Sequence, residues 1–337
     1  MVLNCLKNIL MITLNKRLTK EGVVIMVVIK NVVIAGAGTM GYSFAQIFAQ
    51  HGFEVTVYNH RKETIEKAKN FIKINQETLV AEGEISKETS DKLIGRISFT
   101  SEKDCFKSAD FVIETIVENL SIKQEFWKEI SEIVNEDTIL TTNTSGLSIT
   151  KIAEPIKNPE RFCGMHWWNP PHILPLVEVI KGDKTNDETI DVVEALTREL
   201  DREPVICKKD INGFIGNRLQ YAFMREALNI VKSGAASFED VDKVCKYGLG
   251  LRYAFMGPFE TVDFTGIDVV SRISDYMFAE LDNTQEGSDI YRKMVEEGKL
   301  GIKSGEGFYK YEDGVEKAIK NRDKNLINIV KCLGYKK

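Results

Sequence analysis

Three glycines, Gly36, Gly38 and Gly41, stand at G-x-G-x-x-G spacing between a β-branched run, Val32-Val33-Ile34-Ala35, and an amphipathic stretch carrying Met40, Phe44, Ile47 and Phe48. Between a strand and a helix each glycine has its own steric task. The first allows a tight turn, the second lets backbone approach a pyrophosphate, and the third lets helix pack on strand. The helix opened by Thr39 and Met40 would turn its free N–H groups toward the phosphates. The loop therefore predicts a dinucleotide site for NAD or NADP. The next β-branched run, Val55 to Tyr58, leads into Asn59-His60-Arg61. An Asp or Glu there would take the ribose hydroxyls and repel a 2′-phosphate. Asn59 is neutral, and Arg61 suits a phosphate dianion, so NADP is expected to be accepted and favoured. In the competing reading, Arg61 is a solvated first-turn residue and NAD binds.

Redox chemistry at a secondary alcohol moves a proton as well as a hydride, and a histidine titrating near neutrality suits that exchange. Of the four histidines, His166 lies in Gly164-Met165-His166-Trp167-Trp168-Asn169-Pro170-Pro171, just before the apolar run Leu176-Val177-Glu178-Val179-Ile180. A carboxylate buried in such a run is costly unless paired. A His166–Glu178 pair meets both needs, with the carboxylate orienting the imidazole. Trp167 and Trp168 are read as packing residues, one of which could flank a cleft.

These residues must be carried by a frame. From residue 27 to about residue 209, short β-branched runs alternate with longer amphipathic stretches, the pattern of βαβ units and a mostly parallel sheet. Strands are expected at Val32–Ala35, Val55–Tyr58, Phe111–Ile113 and Thr138–Thr141, and Ser121 with Gln124 reads as a helix capping box. After Asp210 the strand-like runs fade. Phe214 to Lys232 reads as one helix, Ser237 with Asp240 caps another, and Pro258 to Leu281 is a third. The expected fold is α/β: a Rossmann-type, mostly parallel sheet domain over 27–209, then a smaller all-helical domain over 210–312. Residues 1–26 are expected to form a weakly ordered extension and 313–337 a tail.

The 337 residues suit two cores better than one. A net charge of -5 gives no global attraction to nucleic acid or anionic lipid, and no apolar run in 1–30 is long enough to span a bilayer. The six cysteines show no Cys-x-x-Cys pair and no metal-ligand spacing, which fits a reducing, cytoplasmic setting with no metal.

The motifs taken in order resemble the L-3-hydroxyacyl-CoA dehydrogenase family from about Val32 to Tyr311. They are the glycine loop, Val117-Glu118-Asn119-Leu120, Asn143-Thr144-Ser145, His166-x-x-Asn169-Pro170 with Leu176-Val177-Glu178, and Gly213-Phe214-Ile215-x-Asn217-Arg218. The resemblance implies that His166 is the acid/base and Glu178 its partner, and that Ser145 and Asn217 bond substrate oxygens. It sets Glu118 and Lys123 against the nicotinamide half of the cofactor, with Asn143 also at the cofactor site. A helical second domain forming a homodimer follows from it too.

Two features depart from the acyl-CoA type. Asn70 to Ser90 holds only Lys73 and Lys87 against Glu77, Glu82, Glu84 and Glu88, a poor match for CoA phosphates. The run Gly248 to Phe255 with Gly257-Pro258-Phe259-Glu260-Thr261 resembles the lambda-crystallin (L-gulonate 3-dehydrogenase) and carnitine dehydrogenase branches, in which Arg252 would clamp a free carboxylate. Arg252 bracing a dimer is the plainer reading. Three functions follow in order of expectation: a 3-hydroxyacyl-CoA dehydrogenase, a dehydrogenase of a free hydroxy acid, and a nonenzymatic crystallin-like or dinucleotide-binding protein.

Overall fold

Apolar residues on both sides of a strand demand cover on both faces of its sheet. In β1 (Asn31–Ala35), Val32 and Ile34 enter one buried cluster while Val33 and Ala35 enter another, so alternate side chains serve opposite faces. The computed structural model describes residues 28–335. The expected N-terminal extension, 1–26, lies outside them.

The chain continues through α1 (Thr39–Gln50), β2 (Glu54–Tyr58), α2 (Lys62–Ala81), α3 (Lys87–Gly95), β3 (Ile97–Thr100), β4 (Phe111–Glu114), α4 (Leu120–Ile133), β5 (Ile139–Thr142), α5 (Ile149–Ala153), β6 (Phe162–Trp167), β7 (Leu176–Ile180), α6 (Asp187–Glu199) and β8 (Glu203–Cys207). The eight strands pair in the order β3-β2-β1-β4-β5-β6-β7-β8. All neighbours are parallel except β6 and β7. Phe44 and Phe48 of α1, Ala68 and Ile72 of α2 and Leu196 of α6 pack one face. Trp127 and Ile130 of α4 with Ile149 and Ile152 of α5 pack the other.

Strand order reverses between β1 and β4, which opens a crevice at their C-terminal ends, the usual ligand position in such sheets. The mostly parallel sheet expected from the sequence is present. One local expectation fails: α4 is capped by Asn119, whose side chain accepts the Ile122 N–H at 3.1 Å. Ser121 sits inside the first turn, and Gln124 reaches the Lys151 carbonyl at 2.7 Å. An Asx side chain at the true boundary outcompetes the serine two residues later.

The second unit begins at Arg218 by compactness, the first ending at Asn217. It is helical: α7 (Gly216–Lys232, whose first two residues belong to the first unit), α8 (Phe238–Val244), α9 (Gly250–Tyr253), α10 (Pro258–Thr265), α11 (Ile267–Glu280), α12 (Asp289–Glu296) and α13 (Val315–Cys332). Helix α7 starts later than Phe214 because that residue takes a left-handed φ of 51°. The stretch 258–281 is two helices, divided where Gly266 adopts φ 98°. Ser237 caps α8 as expected, accepting the Asp240 N–H at 3.2 Å. The segment 313–337, set apart as a tail, carries the 18-residue α13. No described helix is long and apolar enough to cross a membrane.

Candidate active site

At the β1–α1 turn, Gly36 and Gly41 stand where a side chain would collide with backbone. Gly36 has φ 120°, and a Cβ there would lie 2.5 Å from the Thr115 carbonyl oxygen. A Cβ on Gly41 would lie 1.9 Å from the Gly36 oxygen, so the start of α1 can approach the turn only without a side chain. Gly38 faces open space and caps α1 with no side-chain hydrogen bond, and the first turn holds no acid. Exposed N–H groups and the positive end of the helix dipole are thus left for an anionic group, as a dinucleotide pyrophosphate requires. Thr39 is exposed there, and Met40 is half-buried against the core.

At the end of β2, the Asn59 side chain accepts the Arg61 N–H at 2.9 Å, an Asx turn that leads into α2. The Arg61 side chain is exposed and forms no ion pair among the described residues.

Strands β6 and β7 run antiparallel, with His166 directly opposite Glu178. Cross-strand neighbours have adjacent side chains, and His166 Nδ1 meets Glu178 Oε2 at 2.9 Å. Both are buried, at 6% and 1% exposure. The same oxygen accepts the Trp168 indole N–H at 3.3 Å, while Oε1 accepts the backbone N–H groups of Ile215 and Gly216, each at 2.9 Å. Burial pushes the Glu178 carboxyl up. The bonds from His166, Gly216 and Trp168, with the charge of His166, outweigh burial and hold it below its ordinary range. With Nδ1 committed to a carboxylate, neutral His166 keeps its lone pair on Nε2, which can take or return a proton. Phe214, fully buried, lies with its ring centroid 5.7 Å from that of His166.

Asn217 donates from Nδ2 to the Ser145 carbonyl at 2.7 Å, which brings the two residues together at the end of the first unit. The Ser145 hydroxyl is exposed and makes no hydrogen bond among the described residues. Asn143 accepts the Trp167 N–H on its side chain at 2.9 Å, fixing the segment after β5 to the strand that bears His166. Arg252 lies on α9 in the second unit, exposed and without an ion pair among the described residues.

Glu118 and Lys123 belong to a network that sequence reasoning saw only in part. Lys123 is 1% exposed, and its ammonium lies 2.5 Å from Glu114 Oε1 and 3.4 Å from Glu118 Oε2. Glu118 Oε1 accepts the Thr144 hydroxyl at 2.5 Å and the Ser145 N–H at 2.9 Å. Glu114, fully buried at the end of β4, was missed. Its signal was the one that exposed Glu178, an acid closing an apolar run, here Phe111-Val112-Ile113-Glu114.

Residues 31–211 match the family model of the 3-hydroxyacyl-CoA dehydrogenase NAD binding domain, and 213–311 match that of the 3-hydroxyacyl-CoA dehydrogenase C-terminal domain. The 5-formyl-3-hydroxy-2-methylpyridine 4-carboxylate 5-dehydrogenase of Mesorhizobium japonicum is 36% identical over 307 residues, 90% of this chain and 98% of that one. A probable 3-hydroxybutyryl-CoA dehydrogenase of Deinococcus radiodurans is 38% identical over 279 residues, 82% of this chain and 99% of its own. Among solved structures, a 5-formyl-3-hydroxy-2-methylpyridine 4-carboxylic acid 5-dehydrogenase, described as an NAD+-dependent dismutase, superposes with a TM-score of 0.83 at 35% identity, covering 92% of this chain and all of that one. With both domain models matched in order and relatives aligned over most of its length, the chain belongs to the 3-hydroxyacyl-CoA dehydrogenase family and is an NAD-dependent oxidoreductase.

Proposed function

We propose that the protein interconverts a 3-hydroxyacyl-CoA and its 3-oxoacyl counterpart, with His166 as the acid/base. The observation that carries this reading is the 2.9 Å His166–Glu178 bond, which leaves Nε2 as the proton-exchanging atom. In the oxidative direction the 3-hydroxyl proton passes to Nε2 while its carbon gives a hydride to bound NAD, and Glu178 stabilises the imidazolium formed. The Ser145 hydroxyl and the Asn217 amide bond the substrate oxygens. The unpaired Arg61 side chain supports acceptance of NADP as well as NAD.

A second reading, oxidation of a free hydroxy acid, draws support from the wider match to the pyridine carboxylate dehydrogenase, 90% of the chain against 82%, and from the unpaired Arg252. One assay separates the two: reduced-cofactor absorbance followed with acetoacetyl-CoA, and in the oxidative direction with L-gulonate, carnitine and 5-formyl-3-hydroxy-2-methylpyridine 4-carboxylate, each with both cofactors. Turnover of acetoacetyl-CoA is expected. Turnover of the free acids alone would overturn the primary reading, and a tenfold or larger preference for NAD would reject a role for Arg61.

The protein is proposed to act as a homodimer in a reducing compartment such as the cytoplasm. The second unit buries few of its side chains, leaving Phe259 and Phe264 each 84% exposed and Phe278 75%, an apolar surface that a second copy would cover. Cys105, Cys163, Cys207, Cys245 and Cys332 are free. Sedimentation velocity at micromolar concentration is expected to give a dimer, and a monomer would reject that part.

A further inference from the structure

A fully buried carboxylate needs a donor for each lone pair, and the arrangement of its donors shows what it holds in place. Glu114 accepts the Ile116 N–H at 2.8 Å and the Lys123 ammonium at 2.5 Å on Oε1, with the Thr142 hydroxyl at 2.8 Å and the Trp127 indole N–H at 3.3 Å on Oε2. It thereby joins the ends of β4 and β5 to α4. Lys123 is shared unequally, closer to Glu114 than to Glu118. Glu118 in turn grips the turn after β5 through the Thr144 hydroxyl and the Ser145 N–H.

We propose that Glu114 is a positioning residue, which anchors Lys123 so that Glu118 is left to hold the Thr144–Ser145 turn. The physical argument is competition for one buried cation. With Glu114 neutral, the carboxylate left beside the almost unexposed Lys123 ammonium is that of Glu118, at 3.4 Å. Coulomb attraction in that setting pulls the Glu118 carboxylate toward the ammonium and away from Thr144 and Ser145. The turn then loses the bonds from the Thr144 hydroxyl and the Ser145 N–H, and the Asn217–Ser145 contact shifts with it. Glu114 acts through two intervening side chains without touching the reacting atoms. The consequence for turnover rests on the role proposed above for Ser145, whereas the consequence for the cofactor rests on the side of the site where Glu118 and Lys123 are expected.

The test is a double-mutant cycle on the full chain: Glu114→Gln, Lys123→Met and the pair together. It is read by kcat and KM with acetoacetyl-CoA and, independently of turnover, by the dissociation constant of NADH from its fluorescence. Glu114→Gln is expected to lower kcat by about 10–100-fold and to weaken NADH, while the pair is no worse than Lys123→Met alone, because removing the cation removes the pull. Effects that multiply across the cycle, or a Glu114→Gln protein within twofold of the parent in both readouts, would overturn the proposal. If Glu114→Gln does not fold, Trp127→Phe loosens the same carboxylate by one bond without touching the Thr144–Ser145 turn. A severalfold loss of kcat with unchanged KM supports the proposal, and unchanged kcat overturns it. Absence of turnover in the unaltered chain would overturn the substrate reading while the NADH cycle still decides the role of Glu114.

Discussion

Two buried carboxylates, Glu114 at the end of β4 and Glu178 in β7, are held almost alike. Each accepts four hydrogen bonds, each receives a tryptophan indole N–H at 3.3 Å, each takes at least one backbone N–H, and each faces one cationic or protonatable side chain. The difference lies in that last partner. Lys123 meets Glu114 as a buried ion pair at 2.5 Å. An imidazole has two ring nitrogens, so His166 faces Glu178 through Nδ1 and keeps Nε2 for another partner. The sheet has thus accommodated a buried acid in one way twice, once beside an ammonium and once, in the function proposed above, beside the group that exchanges protons.

If that contrast is right, neutralising the two acids should have unequal effects. Glu178→Gln is expected to lower kcat by about 10³-fold while NADH affinity changes little, because it removes stabilisation of an imidazolium that forms only during reaction. Glu114→Gln should act on cofactor affinity as well as on kcat. Equal losses in both parameters for the two variants would erase the distinction.

A smaller effect should appear in stability against pH. The Glu178 carboxyl sits below its ordinary value of 4.5 in the folded chain, so it contributes stability that is present above the unfolded value and lost as pH falls through the folded one. The Tm advantage of the parent over Glu178→Gln should therefore shrink on acidification below the ordinary carboxylate range, with a change of about 1–2 °C for each kcal/mol lost in a chain of 337 residues. An advantage that grows on acidification would reverse the assigned sign.

How much of this was legible beforehand follows from chemistry local to each segment. The glycine turn was, because its steric demands fall within six consecutive positions. His166 and Glu178 were, because polar residues in apolar runs require partners. Strand β8 was harder to see, since Pro204 argues against a central strand, yet β8 ends the sheet and an edge tolerates proline. The Glu114–Lys123–Glu118 chain needed β4 and α4 to be placed in space before its members could be joined. Asn119 displaced Ser121 as a cap by a competition that residue types alone do not rank.

The grip of Glu178 on the start of α7 also governs which substitutions the segment tolerates. Oε1 bonds two backbone N–H groups, so the contact asks nothing of the side chain at 215 and excludes only proline there. Position 216 is another matter: a Cβ would lie 2.4 Å from Trp168 Cζ2, on the indole that donates to Glu178 Oε2. A side chain at 216 therefore requires the Trp168 indole to move aside, whereas position 215 meets the carboxylate through its backbone alone.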